Sequence, residues 1–221
     1  MLHDQPDGCE TPGVDPSNSS LPAPLRGLHR LPQSATHPNQ LSNAEMAGLL
    51  LLSATPEDPD RQGLKATPAR YAKAMTQLLS GYHTTPEAVA GSGVFSSESN
   101  GLVSVREVEF YSLCEHHMLP FWGKISVAYY PGEQIVGLSK IPRLINMYAR
   151  RLQVQERLTQ QVADALFGLI KPRAVVVRAT AQHLCMMMRG VEKQRSETVT
   201  EAGSGLSQLS DLEISRLYAA L

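Results

Sequence analysis

The sequence predicts an α+β domain built on an antiparallel sheet, and three observations carry that expectation. Apolar residues make up 42% of the 221, enough for one domain with a real core. The hydrophobic period runs helical, strand-like, helical, then strand-like again along the chain. Helix-bounding residues fall where the first helices should start and stop. Blocks of helices and blocks of strands, rather than strict alternation, are the mark of the α+β class.

Residues 1–41 are rich in Pro, Ser, Gly and Asn, hold seven of the fifteen prolines and show no apolar periodicity. They are expected to be a disordered Pro-rich extension, unable to bury enough surface to offset ordering entropy, ahead of an ordered domain over 42–221. The opening "MLHDQPDGCETPG" has neither a basic start nor an apolar stretch, so no secretory signal is expected.

Ser42 and Glu45 have capping-box spacing, which predicts a helix from Ser42 to about Ser53. "ATPARYAKAMTQLLSG" predicts a second, with Thr67 as N-cap, Pro68 at the first helical position and Gly81 as C-cap. "GSGVFSSESNG" reads as a flexible loop. "LVSVREVEFYS" has the Val and aromatic content of a strand. "GKISVAYYPGEQIVGLS" reads as two strands about a Pro131-Gly132 turn, with Ile125, Val127 and Tyr129 alternating.

From Lys140 to about Lys171 the period is helical. Val154, Leu158, Val162, Ala165 and Leu169 share a face, and Pro172 marks the end. "AVVVRATAQHLCMMMRG" returns to strand character, and "SETVTEAGSG" continues it into a loop. No internal repeat is found.

A net charge of -1 argues against a protein that coats nucleic acid or an anionic membrane. No apolar run approaches the roughly 20 residues that span a bilayer. Three cysteines, Cys9, Cys114 and Cys185, suggest reduced thiols in a cytosolic compartment rather than a disulfide framework, although a Cys114–Cys185 bridge is one open alternative.

The chemistry concentrates in "LCEHHML", where Cys114, Glu115, His116 and His117 are consecutive. Cys114 and His117 have C-x2-H spacing, so both can reach one ion from a tight turn, and thiolate with imidazole suits zinc. Cys185, in "QHLCMMM", is the natural third ligand. Three protein ligands with one vacancy is the pattern of a catalytic zinc. His183, two residues earlier, would share a strand face with Cys185 and could move protons, with His116 as a second carrier. The bland readings are a packed histidine and two small buried thiols. A zinc deaminase is excluded, because neither H-x-E nor P-C-x-x-C occurs. Nothing around Cys114 matches the local signature of a papain-like cysteine.

A second cluster is cationic. Lys140 and Arg143 stand three apart at a helix start, Arg189 follows the H-x-C stretch and Arg70 follows Thr67-Pro68. Together they could converge on a polyphosphate, or simply be solvated helix cations. Gln155 and Glu156 lie between arginines. They could form surface ion pairs, or a carboxylate could accept two N–H bonds from a guanine edge with the amide adding a third.

"FYSLCEHHMLPFWGKISVAYYP", "VGLSKIPRLINMYARRLQVQERLTQQ", "HLCMMMRGVEK" and "SETVT" resemble the GTP cyclohydrolase I family in order and spacing, from about Thr67 to Thr200. The resemblance implies a tunnelling fold with N-terminal helices: an antiparallel sheet with helices packed on one side, the sheets of several subunits joining into a barrel. It implies a cytoplasmic homodecamer of two face-to-face pentamers with active sites between subunits, neither nucleic acid nor membrane being a partner. The implied reaction takes GTP and water to 7,8-dihydroneopterin triphosphate and formate, the entry to tetrahydrofolate and other pterins. By position, Cys114, His117 and Cys185 would bind Zn2+, and His183 would move protons with help from His116. Glu156 and Gln155 would hold the guanine, while Ser139, Lys140, Arg143, Arg189 and Arg70 would face the ribose and triphosphate. After "TVT" this chain departs from the family pattern, with Ser207 near an expected aromatic.

Two other functions fit parts of the pattern. A nitrile oxidoreductase of the same fold would use a cysteine thioimide and a nicotinamide cofactor, and the C-E-H-H string speaks against it. A non-catalytic GTP- or pterin-binding homologue would not need His183 beside the ligand set.

Overall fold

Alternate residues of the strand Ala174–His183 serve two different cores. Val175, Val177, Ala179 and Ala181 face the main one, while Ala174 and Val176 face a second cluster. This period of two makes the strand a divider between layers. The computed structural model describes residues 40–221, with side chains from Asn43 onward. The expectation of a disordered segment over 1–41 lies almost wholly outside the described residues.

The main sheet has five strands in the order β5-β2-β3-β6-β7, where β2 is Val103–Cys114, β3 Pro120–Tyr130, β5 Leu152–Gln153, β6 Ala174–His183 and β7 Thr198–Ser204. Neighbours are antiparallel except β5, which runs parallel to β2, so the sheet is mixed rather than purely antiparallel. A bulge between Val105 and Val108, with Glu107 at φ 59°, bends β2. Helices α4 (Lys140–Ala149) and α5 (Gln155–Ile170) cover one face. Leu158, Val162 and Leu166 are buried there, each burial stabilising by about 1.5–3 kcal/mol.

Several sequence expectations are corrected. Between α4 and α5 the chain breaks into β5, so Val154 is the extended N-cap of α5 rather than a face residue. Lys171, in the left-handed region, caps α5 before Pro172. The segment read as a flexible loop contains strand β1 (Val94–Ser96), which pairs with β4 (Gln134–Val136) in a separate two-stranded sheet. The Pro131-Gly132 turn therefore joins strands of different sheets and does not close a hairpin. Helix α1 spans Gln40–Ser53, so Ser42 lies inside it rather than capping it.

Helix α2 (Thr67–Leu78) begins one residue earlier than expected: Thr67 is its first residue, and Ala66, with no side-chain cap, is the N-cap. Gly81 is not its C-cap either. It sits in the following 3-10 turn, Ser80–His83, pressed against α4: a Cβ there would lie 1.9 Å from the Met147 carbonyl oxygen. Gly81→Ala is expected to cost about 1–3 kcal/mol by overpacking, read as a lower urea midpoint with an unchanged slope.

The C-terminal segment closes with α7 (Asp211–Ala219), after the short helices α3 (Pro86–Ala90) and α6 (Leu184–Met187). Leu217 of α7 packs with Ala128, Tyr130, Ala174 and Val176, covering one end of the sheet's other face. A complete capping box of Ser210 and Glu213 starts α7, and the Arg173 guanidinium donates to Glu213 at 2.8 Å. The Ser210 backbone N–H, then its hydroxyl and then Arg173 hold the Glu213 carboxyl down at about 2. Because the folded value is depressed, this contribution is present above pH 4.5 and fades as the pH falls towards about 2. The protection of the α7 amides against hydrogen exchange, relative to the intrinsic rate at each pH, is expected to fall in that window, and Glu213→Gln should flatten the change.

Candidate metal and proton-transfer site

The site is made where β2 and β6 end on either side of the start of β3. The chain leaves β2 at Cys114 and reverses within five residues. The Met118 N–H donates to the Cys114 carbonyl at 2.7 Å, and the Cys114 N–H donates to the Leu119 carbonyl at 2.9 Å. Met118 takes φ 53° to complete the turn, a conformation side chains other than Gly adopt at a cost. Glu115 is held from two directions. Its N–H donates to the Gln153 carbonyl at 3.0 Å, and its carboxylate accepts from the Arg157 guanidinium of α5.

The turn brings the Cys114 sulfur and a His117 ring nitrogen together with the Cys185 sulfur, all within 4.8 Å of one another. Cys114 is buried, His117 exposed and Cys185 in between. Both cysteines are free, so the bridge considered from sequence is not formed. The edges of a tetrahedron with zinc bond lengths are about 3.5–3.8 Å, so small side-chain rotations would suffice to close the group on one ion. Burial first, and then the neighbouring Cys114 thiol, push the Cys185 thiol above its ordinary range. Metal binding there must therefore displace protons. His116 is on the same turn, its Nδ1 3.8 Å from the Cys114 sulfur.

His183 and Cys185 do not share a strand, as the sequence suggested. His183 is the last residue of β6 and the extended N-cap of α6, whereas Cys185 lies inside α6. The change of direction still leaves both near the turn. His183 pairs across the strands with Phe121 and stacks on it, centroids 4.6 Å apart and planes 2° from parallel. Its Nε2 lies 2.8 Å from Gln155 Oε1. Burial pushes its pKa down, and the Glu156 carboxylate opposes that in part.

The remaining sequence candidates divide. Gln155 is buried and engaged by three hydrogen bonds, to His183, the Ala179 carbonyl and the Thr198 carbonyl. Glu156 stands beside it at the start of α5, close enough to act on His183. Arg189 follows α6, near enough for its charge to favour the Cys185 thiolate. Ser139 and Lys140 begin α4, Arg143 is exposed one turn further, and Arg70 is exposed on α2. Among the described residues, none of these four side chains bonds to the thiol group.

Sequence reasoning missed Phe121 as the plate behind His183 and Arg157 as the clamp on Glu115. Neither has a local signal, since each depends on which strand or helix comes to lie alongside. A cleft of about 440 Å³ lined by Glu107, Tyr111, Trp122, Lys124, Gln182 and Glu197 among others opens where the outward-facing residues of β2, β3 and β6 meet, away from the thiols. No described helix is long and apolar enough to cross a membrane.

A family model described as GTP cyclohydrolase I matches residues 44–217. Among curated relatives, "GTP cyclohydrolase 1" of Deinococcus radiodurans is 49% identical over 188 residues, 79% of this chain and 87% of that protein. The protein of the same name from Chlorobium chlorochromatii is 47% identical over 186 residues, 83% of each chain. That of Alkalilimnicola ehrlichii is 54% identical over 149 residues, 67% of this chain and 80% of the other. Among solved structures, an apo archaeosine synthase QueF-Like overlaps at a TM-score of 0.40 with 19% identity, over 49% of this chain and 97% of that one, too loose a match to bear on function.

Proposed function

The chain belongs to the GTP cyclohydrolase I family, and on that premise we propose that it converts GTP and water to 7,8-dihydroneopterin triphosphate and formate. The observation that carries the reading at the level of residues is the convergence of Cys114, His117 and Cys185 from two distant segments. Two thiolates and an imidazole suit zinc, and the three-ligand set leaves a position open. When bound, the ion would supply Lewis acidity and an activated water for hydrolysis of the purine's five-membered ring.

The chain's own residues do the rest. His183, held against Phe121, gives and takes the protons that ring opening and formate release require, with His116 beside Cys114 as a second carrier. The Glu156 carboxylate accepts two parallel N–H bonds from the guanine edge, and Gln155, its neighbour, borders that pocket. Ser139, Lys140, Arg143, Arg189 and Arg70 face the ribose and triphosphate. Their dispersal over α2, α4 and the segment after α6 supports a clamp completed by adjoining subunits. The outer face of the sheet, with Tyr111 64% and Val199 57% exposed, supports subunit packing there, as in a barrel of joined sheets and a decamer of two pentamers. Reduced thiols support a cytoplasmic setting.

The test is to supply GTP to zinc-replete protein and measure formate together with the fluorescent oxidised pterin. Equimolar formation of both is expected; neither product from zinc-loaded protein overturns the reading. The Glu115–Arg157 contact adds a finer expectation. Both partners are partly exposed, so Arg157→Ala should leave stability within about 1 kcal/mol. Loosening the ligand turn should nonetheless weaken metal retention about tenfold against a chromogenic chelator.

A further inference from the structure

Gln155 is 2% exposed, and its amide hydrogens are fully used. Nε2 donates to the Ala179 carbonyl of β6 at 3.0 Å and to the Thr198 carbonyl of β7 at 2.8 Å. Turning the amide over would set Oε1 against two carbonyl oxygens with no proton between them, losing two buried hydrogen bonds. The oxygen therefore faces His183, 2.8 Å from its Nε2. A carbonyl oxygen can only accept, so the proton of that bond belongs to the imidazole.

We propose that Gln155 is a positioning residue that fixes His183 as the Nε2–H tautomer, so that the ring exchanges protons with substrate through Nδ1 alone. The amide is anchored by backbone groups of two paired strands, so it cannot rotate to suit the other tautomer without breaking both bonds. The Phe121 ring, 2° from parallel, keeps the imidazole in the plane that the hydrogen bond requires. In the neutral ring Nδ1 carries the free lone pair and acts as base; in the charged ring it carries the transferable proton. Nε2–H is retained by Gln155 in both states. This gives the buried amide a task beside the guanine pocket that it performs through the histidine.

The inference rests on the proposed reaction for the identity of the substrate, but the tautomer itself stands on the hydrogen-bond geometry. The test uses the zinc-loaded full chain labelled with 15N-histidine, studied by solid-state NMR at a pH where the ring is neutral. His183 is assigned by the signal lost in His183→Ala. A proton on Nε2 with a bare Nδ1 is expected; a proton on Nδ1 overturns the proposal, even if Gln155→Leu does not fold. Gln155→Leu should mix the tautomers and lower kcat for pterin formation roughly tenfold or more, with KM for GTP changed less than about threefold. An unchanged kcat, or a raised KM at constant kcat, overturns the positioning role. Absence of pterin from the unsubstituted protein would sink the proposed reaction, while the spectrum would still decide the tautomer.

Discussion

Replacing Cys185 with Ala is expected to strip the metal from the purified protein and lower pterin formation by at least roughly a thousandfold. The loss follows from the donor count. Cys114 and His117 come from one turn and are only half of a tetrahedron, whereas Cys185 arrives from the far side of β3 and closes the group. Elemental analysis and turnover should fall together, and melting of the metal-free forms should barely change, because Cys185 is only partly buried in a four-residue helix. Chelation of the unsubstituted protein should give the same loss, reversed by added zinc. Full turnover in metal-free protein would rule out the proposed role of all three ligands.

His183→Ala separates proton transfer from binding. Metal content and GTP affinity should hold, while turnover falls roughly 10²–10⁴-fold, the usual worth of a positioned general acid–base. His183 touches Phe121 and Gln155, and its burial makes the neutral ring the easier state to hold. The cavity left against Phe121 should cost some stability, so the fold is checked by circular dichroism before kinetics are compared. Turnover within tenfold of the original would transfer the proton role elsewhere, with His116 the first candidate.

How much could be read in advance depended on the range of each interaction. Helix α2, strand β2 and the helical run that became α5 were legible because Pro68, the Val-rich run and the Leu158–Val162 spacing act within a few residues. Strand β1 was not, since three residues have no period to read and its partner β4 is remote in the chain. Gly81 looked like a helix stop, but its lack of a side chain matters for the approach of α4, which no local pattern records. Cys185 looked like a strand residue because Met and Cys continue the apolar run past His183, yet the chain turns there into α6.

By itself, the sequence determined which functional groups exist and which lie close along the chain: a thiol and an imidazole three apart, a second thiol two after a histidine, an amide followed by a carboxylate. Those are local facts, fixed by covalent order and the reach of a turn. Only the tertiary structure decided that Cys185 meets Cys114, that Phe121 backs His183, and that Gln155 turns its oxygen to the imidazole. The physical reason is that strand register and the packing of α5 on the sheet select each partner, and both are settled by burial of the whole core rather than by any single segment.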